Sequence, residues 1–186
     1  MTTQETLVKY LTDMYSLEKH LQQPLKAQAN DADFGPYPEA RTLVQKIEMR
    51  TEQALVALET QVTAMGGDAR SSFKSAVTAA AGAVAAAVNE ARTHAITKKL
   101  RDDYTALALV SVGYELLYTT ATALGSAPVA SLALRELKDV ASHIMDLSQV
   151  IIPVAVAELA KTNPETNTKT AVASQEAIKN AWRSRS

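Results

Sequence analysis

The sequence predicts an all-α protein: a four-helix bundle with an additional shorter helix and a C-terminal tail. Three observations carry this. The 186 residues include 33 alanines but only nine aromatics, and Gly and Pro number six each. A β-sandwich or a doubly wound sheet needs more turns and more β-branched or aromatic residues. Apolar residues recur at steps of three and four, the period of a helix with one buried face. Turn-forming residues fall into a few clusters that divide the chain into long segments.

Each element has its own justification. Thr2-Thr3-Gln4-Glu5 fits a capping box, in which the Thr hydroxyl and the Glu carboxylate each accept from a free backbone N–H. The first helix then runs to about Ala29, with Leu7, Leu11, Met14, Leu21 and Leu25 on one face. Pro24 should bend it or tighten its last turn. Residues 30–38 form a loop rich in Asp, Gly and Pro, and Pro38 suits the first turn of a second helix. That helix carries Val44, Ile47, Thr51, Leu55, Leu58, Val62 and Met65, and stops at Gly66-Gly67.

Asp68 or Ser71 starts a third helix, with Phe73, Val77, Val84 and Val88 on one side among alanines that permit close helix approach. A single helix from Ser71 to Leu124 would be too long for a globular domain, so a break is expected within residues 92–98, capped by Thr93 or Thr97. The fourth helix, residues 98–124, is apolar nearly all round: Leu107, Leu109, Val110, Val112, Leu116 and Leu117. Such a helix lies centrally in its bundle or at a subunit contact. Gly125 ends it. Ser126 and Pro128 open a fifth helix to about Lys161, which Pro153 should kink. A polar linker, residues 162–170, precedes a short helix over residues 171–183 that bears Trp182. The chain thus divides into a bundle, residues 1–161, and a linker with a short terminal helix, residues 162–186. The first and second helices form one hairpin, the fourth and fifth another, joined through the third.

Composition excludes several function classes. The formal charge of −1 provides no global basic field to attract nucleic acid. The absence of cysteine excludes disulfide scaffolds, thiolate zinc sites, thiol nucleophiles and iron–sulfur ligation. The N-terminus is polar and lacks a basic-then-apolar leader pattern. The most apolar run, residues 76–88, is 13 residues long, short of the roughly 18 that a membrane span requires. The expectation is a soluble, cytoplasmic protein with no transmembrane segment. The six glycines miss the spacing of phosphate loops and dinucleotide fingerprints. There is no nucleophile elbow and no His-Glu-x-x-His.

Among the polar residues Glu18 stands out, because it fills the gap in the stripe between Met14 and Leu21. A carboxylate on a core face costs several kcal/mol unless it is paired, protonated or bound to metal. Glu18 is therefore either a buried acid paired with Lys, Arg or Tyr across the bundle, or a metal ligand. Tyr10, Tyr15, Tyr114 and Tyr118 fall on inner faces, where their hydroxyls could serve as partners. Bundle di-iron sites take Glu from one helix of each hairpin and Glu-x-x-His from its mate. Three residues before His20, His94 and His143 stand Leu17, Ala91 and Val140, so no such motif exists. Only carboxylates are left: Glu18, Glu48 or Glu52, Glu115, and Glu136 with Asp139. Apart from Glu18 these are ordinarily solvated helix-face charges. His143 shares a face with Glu136 and Asp139, which suits a ligand trio or, as the favoured reading, an i, i+4 surface pair with Asp139. His94 follows Glu90 by four and reads as the same kind of pair.

The first helix reads Tyr10-Leu11-Thr12-Asp13-Met14-Tyr15-Ser16-Leu17-Glu18-Lys19-His20-Leu21. It resembles the opening of bacterial ferritin-like stress proteins of the YciE/YciF type, in which Leu-x-Asp-x-Tyr-Ser-x-Glu-Lys-x-Leu recurs. Weaker similarity continues through Thr51, Glu52, Leu58 and Gly66, through Tyr114 to Gly125, and at Glu136, Lys138, Asp146 and Leu147. The resemblance implies a ferritin-like bundle, usually dimeric, linked to stress responses and carrying a di-metal carboxylate site. On it Glu18 corresponds to the first-helix ligand and Glu136 keeps an acid in the fifth helix. The other ligand positions would fall on Ile47, Arg50, Leu107, Ala108 and Val110, which are not metal ligands.

These readings converge on a divergent, non-catalytic member of that family with a structural or binding role, no cofactor, and a vestigial metal site at Glu18 and Glu136. The competing expectation is an oxidase or metal-storage protein with a carboxylate-only di-iron or di-manganese site. A peripheral lipid- or granule-binding role is disfavoured because no amphipathic face combines Trp or Phe with Lys or Arg. The expected partners are further copies of the chain, through the fourth helix, and a protein docking at the C-terminal tail.

Overall fold

The computed structural model describes residues 1–70 and 95–183. Helix α1 spans Thr3–Ala29, α2 Pro38–Ala64, α3 Ala95–Ala123, α4 Ala127–Thr162 and α5 Thr170–Arg183, with a single 3-10 turn at Ala32–Phe34 between α1 and α2. The fold is all-α, a ferritin-like helical bundle. The expected third helix lies outside the described residues, apart from Ala69 and Arg70, which are helical.

Helix ends follow from local chemistry. The capping box is formed: Glu5 N donates to Thr2 Oγ1 at 3.2 Å and Thr2 N to Glu5 Oε2 at 2.8 Å. Pro38 is in the first turn of α2, where a missing N–H costs nothing. After α2, Gly66 takes φ of 76°, and the N–H of Gly67 returns to the Val62 carbonyl at 2.9 Å. Gly125, at φ of 70°, turns the chain in the same left-handed way between α3 and α4. The expected break within residues 92–98 lies partly outside the described residues, which resume at Ala95 in α3. Of the two expected caps, Thr93 lies outside the described residues, and the Thr97 hydroxyl is buried without a partner. Instead Glu158 of α4 accepts from the N–H groups of Ile96 at 3.0 Å and Thr97 at 2.9 Å. A carboxylate there satisfies orphan donors and suits the positive end of the helix dipole.

Helix α1 packs beside α2 and α3, and α4 beside α2 and α3, so the four helices form a square with α1 diagonal to α4. The core is continuous, from Leu7, Leu11 and Leu25 through Ile47, Leu58 and Leu107 to Leu117, Val140 and Leu147. Both internal prolines, Pro24 and Pro153, lie within unbroken helices. Helix α4 contains an 18-residue window of mean hydropathy 1.6, long and apolar enough to cross a bilayer by length and composition alone. A count of uninterrupted apolar residues overlooks that window because polar residues punctuate it. In this fold α4 packs against α2, α3 and α5. The terminal helix α5 rests on α4 but buries no residue of its own, and Trp182 is 67% exposed.

Candidate functional site

One polar side chain from each bundle helix meets at the centre of the square. Glu18 comes from α1, Arg50 from α2, Tyr114 from α3 and Glu136 from α4, and all four are buried. Each continues the inner stripe of its helix. Glu18 follows Leu11 and Met14, Arg50 follows Ile47, Tyr114 follows Leu107 and Val110, and Glu136 follows Leu132 and Ala133. Helical period alone therefore aims them inward.

Arg50 joins the two acids. Its Nη1 lies 2.6 Å from Glu18 Oε1 and its Nη2 lies 3.2 Å from Glu136 Oε2. The Tyr114 hydroxyl donates to the same Glu18 oxygen at 2.8 Å. The guanidinium carbon is 5.5 Å from the centroid of the Tyr114 ring, within cation–π range. Glu136 is also held from outside, where Arg135 donates to Oε1 through Nε at 3.1 Å and Nη2 at 2.8 Å. Two carboxylates are thus matched by two guanidiniums, one internal and one at the rim.

The electrostatics follow from burial and neighbours. Glu18 is 0% exposed, and desolvation pushes its carboxyl above the usual range, while Arg50 and Tyr114 pull it back. Burial disfavours the Arg50 cation, but Glu18, Tyr114 and Glu136 more than offset this and hold it charged. Burial, then the charge of Glu18, lifts the Tyr114 hydroxyl well above its ordinary value, so it remains a donor. Glu18 Oε2 and Arg50 Nε are buried without partners.

The residues present do not fit a di-metal centre. A bound metal ion needs anionic or imidazole ligands to replace its hydration shell, and here a guanidinium lies between the two acids. The other positions that the resemblance assigns to ligands are apolar: Ile47, Leu107 and Val110 are buried and Ala108 is half-buried. Among the described residues no group of three or more His, Asp or Glu gathers. Glu52, Glu115 and Asp139 are exposed, Glu48 is half-buried, and His20 is exposed. His143 is half-buried with a partnerless Nδ1, and burial followed by the charge of Arg50 lowers its pKa. His94 and Glu90 lie outside the described residues.

Of the candidate residues, the structure brings Glu18 and Glu136 together through Arg50, and of the four inner-face tyrosines it is Tyr114 that bonds Glu18. Sequence reasoning missed three buried residues with acid or amide side chains: Gln28, Asp103 and Glu158. Their signal was available. Gln28 continues the stripe after Leu21 and Leu25, Asp103 lies between Leu100 and Leu107, and Glu158 follows Val154 by four.

A family model described as a domain of unknown function, DUF892, matches residues 2–160. That family lies within the ferritin-like superfamily. The crystal structure of protein XCC3681 from Xanthomonas campestris pv. campestris is similar in fold, with a TM-score of 0.69. It is 21% identical, and the alignment covers 87% of this chain and 99% of that one. No curated protein matches the chain.

Proposed function

We propose that this chain, which belongs to the DUF892 family, is a non-catalytic ferritin-like bundle with a structural or binding role. The observation that carries this reading is the position of Arg50 between Glu18 and Glu136. A permanent cation of the polypeptide bridges the two buried acids, and Arg135 at the rim supplies the second positive charge. The centre of the bundle is then a cross-link between four helices. A stress-associated role and a cytoplasmic location accompany this reading through the similarity of the first helix to YciE/YciF-type proteins.

The test is elemental analysis of protein purified without chelator and then exposed to iron and manganese. The expected result is no stoichiometric metal. About two metals per chain, lost on Glu18→Gln, would overturn the proposal and restore a carboxylate-based centre.

The binding role includes a second copy of the chain. On the outer side of α3, Thr105, Leu109, Val112, Leu116, Thr119 and Ala123 are all exposed. Their spacing alternates four and three, the seam of a helix that packs against another helix. Leu109, Val112 and Leu116 are 60%, 49% and 56% exposed. Between Asp103 and Arg135 the sequence has one charged residue, Glu115. A seam so poor in charge supports helix-to-helix self-association.

A further inference from the structure

Away from the central cluster, toward the end of the bundle where α1 finishes and α3 begins, lies a second buried polar contact. Gln28 Nε2 of α1 donates to Asp103 Oδ1 of α3 at 2.9 Å. Asp103 is only 3% exposed and Gln28 is 8% exposed. The other oxygen of each side chain, Asp103 Oδ2 and Gln28 Oε1, is buried without a partner. An ionised carboxylate can only accept hydrogen bonds, and so can an amide oxygen. With Asp103 charged, this contact would bury an anion on one hydrogen bond beside a second unsatisfied acceptor, a costly arrangement.

A single proton resolves both defects. On Oδ2 it removes the charge and creates a donor, and the Gln28 amide oxygen is a buried acceptor that lacks one. A carboxylic acid and a carboxamide are planar groups able to share two antiparallel hydrogen bonds, of which the one from Gln28 Nε2 is formed. We propose that Asp103 is held as the neutral acid, forming with Gln28 a proton-dependent latch between α3 and α1.

The charges that act on Asp103, those of Lys99 and Asp102, are paired elsewhere. On α3, Lys99 is 2.5 Å from Asp31 Oδ2 in the turn after α1, and Asp102 pairs with Arg101 at 2.6 Å. Lys26 on α1 is exposed. From α2, Arg41 acts on Asp31 and helps to hold that carboxyl below its usual range. From α4, Glu158 is held by the backbone of Ile96 and Thr97, and Lys161 lies 4.9 Å from the Tyr37 ring centroid. Asp103 therefore has Lys99 as a nearby cation, but one bound to another acid. Burial raises the Asp103 carboxyl to about 7, opposed in part by the Gln28 hydrogen bond and Lys99.

The sign of the pH dependence follows. In the unfolded chain Asp103 ionises near 3.8, and in the fold near 7. Between those values the folded state holds a proton that the unfolded state has released, so stability falls as pH rises. The latch contribution is complete below the lower value and lost on passing through the upper one.

The test combines carbon NMR of the Asp103 carboxyl, assigned with Asp103→Asn, and urea unfolding of both proteins across pH. Asn can make both hydrogen bonds to Gln28 without titrating. The expected results are a carboxyl midpoint near 7 in the native protein and an unfolding constant that rises about tenfold per pH unit relative to Asp103→Asn, from about pH 5 to about pH 6.5. A midpoint in the ordinary carboxylate range, or parallel stability profiles for the two proteins, would overturn the proposal. The NMR midpoint is read on the native chain and stands even if the variant folds poorly.

Discussion

The side-chain amide of Gln175 on α5 donates to the main-chain carbonyl of Gln149 on α4 at 2.9 Å. That carbonyl lies four residues before Pro153, whose nitrogen has no hydrogen to offer it. The terminal helix thus supplies a hydrogen bond that the proline withholds, and α4 continues unbroken through Pro153.

This contact predicts how the tail behaves. Because α5 buries no residue of its own, Gln175 is its most specific attachment, worth about 1 kcal/mol. Gln175→Leu should raise amide exchange throughout α5 and leave the bundle's melting unchanged. Truncation after Lys161 should leave a cooperatively folded bundle. Loss of helix beyond that of α5, seen by circular dichroism, would place the tail in the core. Trp182 remains exposed, so the same truncation also tests its expected use as an anchor for a protein partner, by loss of an intermolecular contact on sizing.

Arg50 yields the largest expected effect on stability. Arg50→Met removes the only internal cation of the Glu18–Arg50–Glu136 cluster and leaves two buried acids to repel each other. Breaking one side of a buried ion pair costs about 3–5 kcal/mol. Adding Glu18→Gln to Arg50→Met should recover part of that loss, because a neutral amide needs no counter-charge. Urea denaturation of the single and double variants gives the coupling directly. Additive losses would mean that Glu18 and Arg50 act independently.

Much of the central site was legible in the sequence, for a specific physical reason. A helical stripe with one polar member forces that member inward, and Glu18 interrupted an otherwise clean stripe. Arg50 was conspicuous as a cation at a position where the resembled family carries a ligand. Tyr114 was one of four aromatic hydroxyls on inner faces, and periodicity could not rank them, because their depth depends on where neighbouring helices cross. Asp103 was missed although it lies in register with Leu100 and Leu107. The run Lys98-Lys99-Leu100-Arg101-Asp102-Asp103 resembles a solvated helix start, and local charge masked the periodic signal. For Glu158 the helical period points to burial, but its partners are backbone groups 61 and 62 residues away, which local sequence does not reveal.

The outer seam of α3 predicts the assembly state. Substituting Leu109→Glu and Leu116→Glu places charges at two adjacent layers of one face, which a helix-to-helix contact cannot bury cheaply. The native protein should run as a dimer or larger assembly by light scattering at micromolar concentration, and the double variant as a folded monomer. A native monomer under those conditions would remove self-association from the proposed function.

Gly113 of α3, one residue before Tyr114, faces the side-chain ends of Met14 and Leu17 of α1 at close range. A Cβ at Gly113 would lie 2.5 Å from Met14 Sδ and 3.2 Å from Leu17 Cδ1. Elsewhere in a helix, Gly→Ala gains about 1 kcal/mol through backbone entropy. Here the added methyl group meets a buried Met14, and overpacking of this kind costs about 1–3 kcal/mol. Gly113→Ala should therefore be net destabilising, with α3 displaced from α1. The neighbouring Tyr114 would move with its helix, lengthening its 2.8 Å bond to Glu18 and loosening the cluster. Met14→Ala alone should leave a cavity costing about 2–5 kcal/mol. Combined with Gly113→Ala, the two changes should cost less than their sum, because the methyl group at position 113 enters the space vacated by the Met14 side chain. A double-mutant cycle in urea measures that coupling, and strict additivity would show that Met14 is not what holds position 113 to glycine.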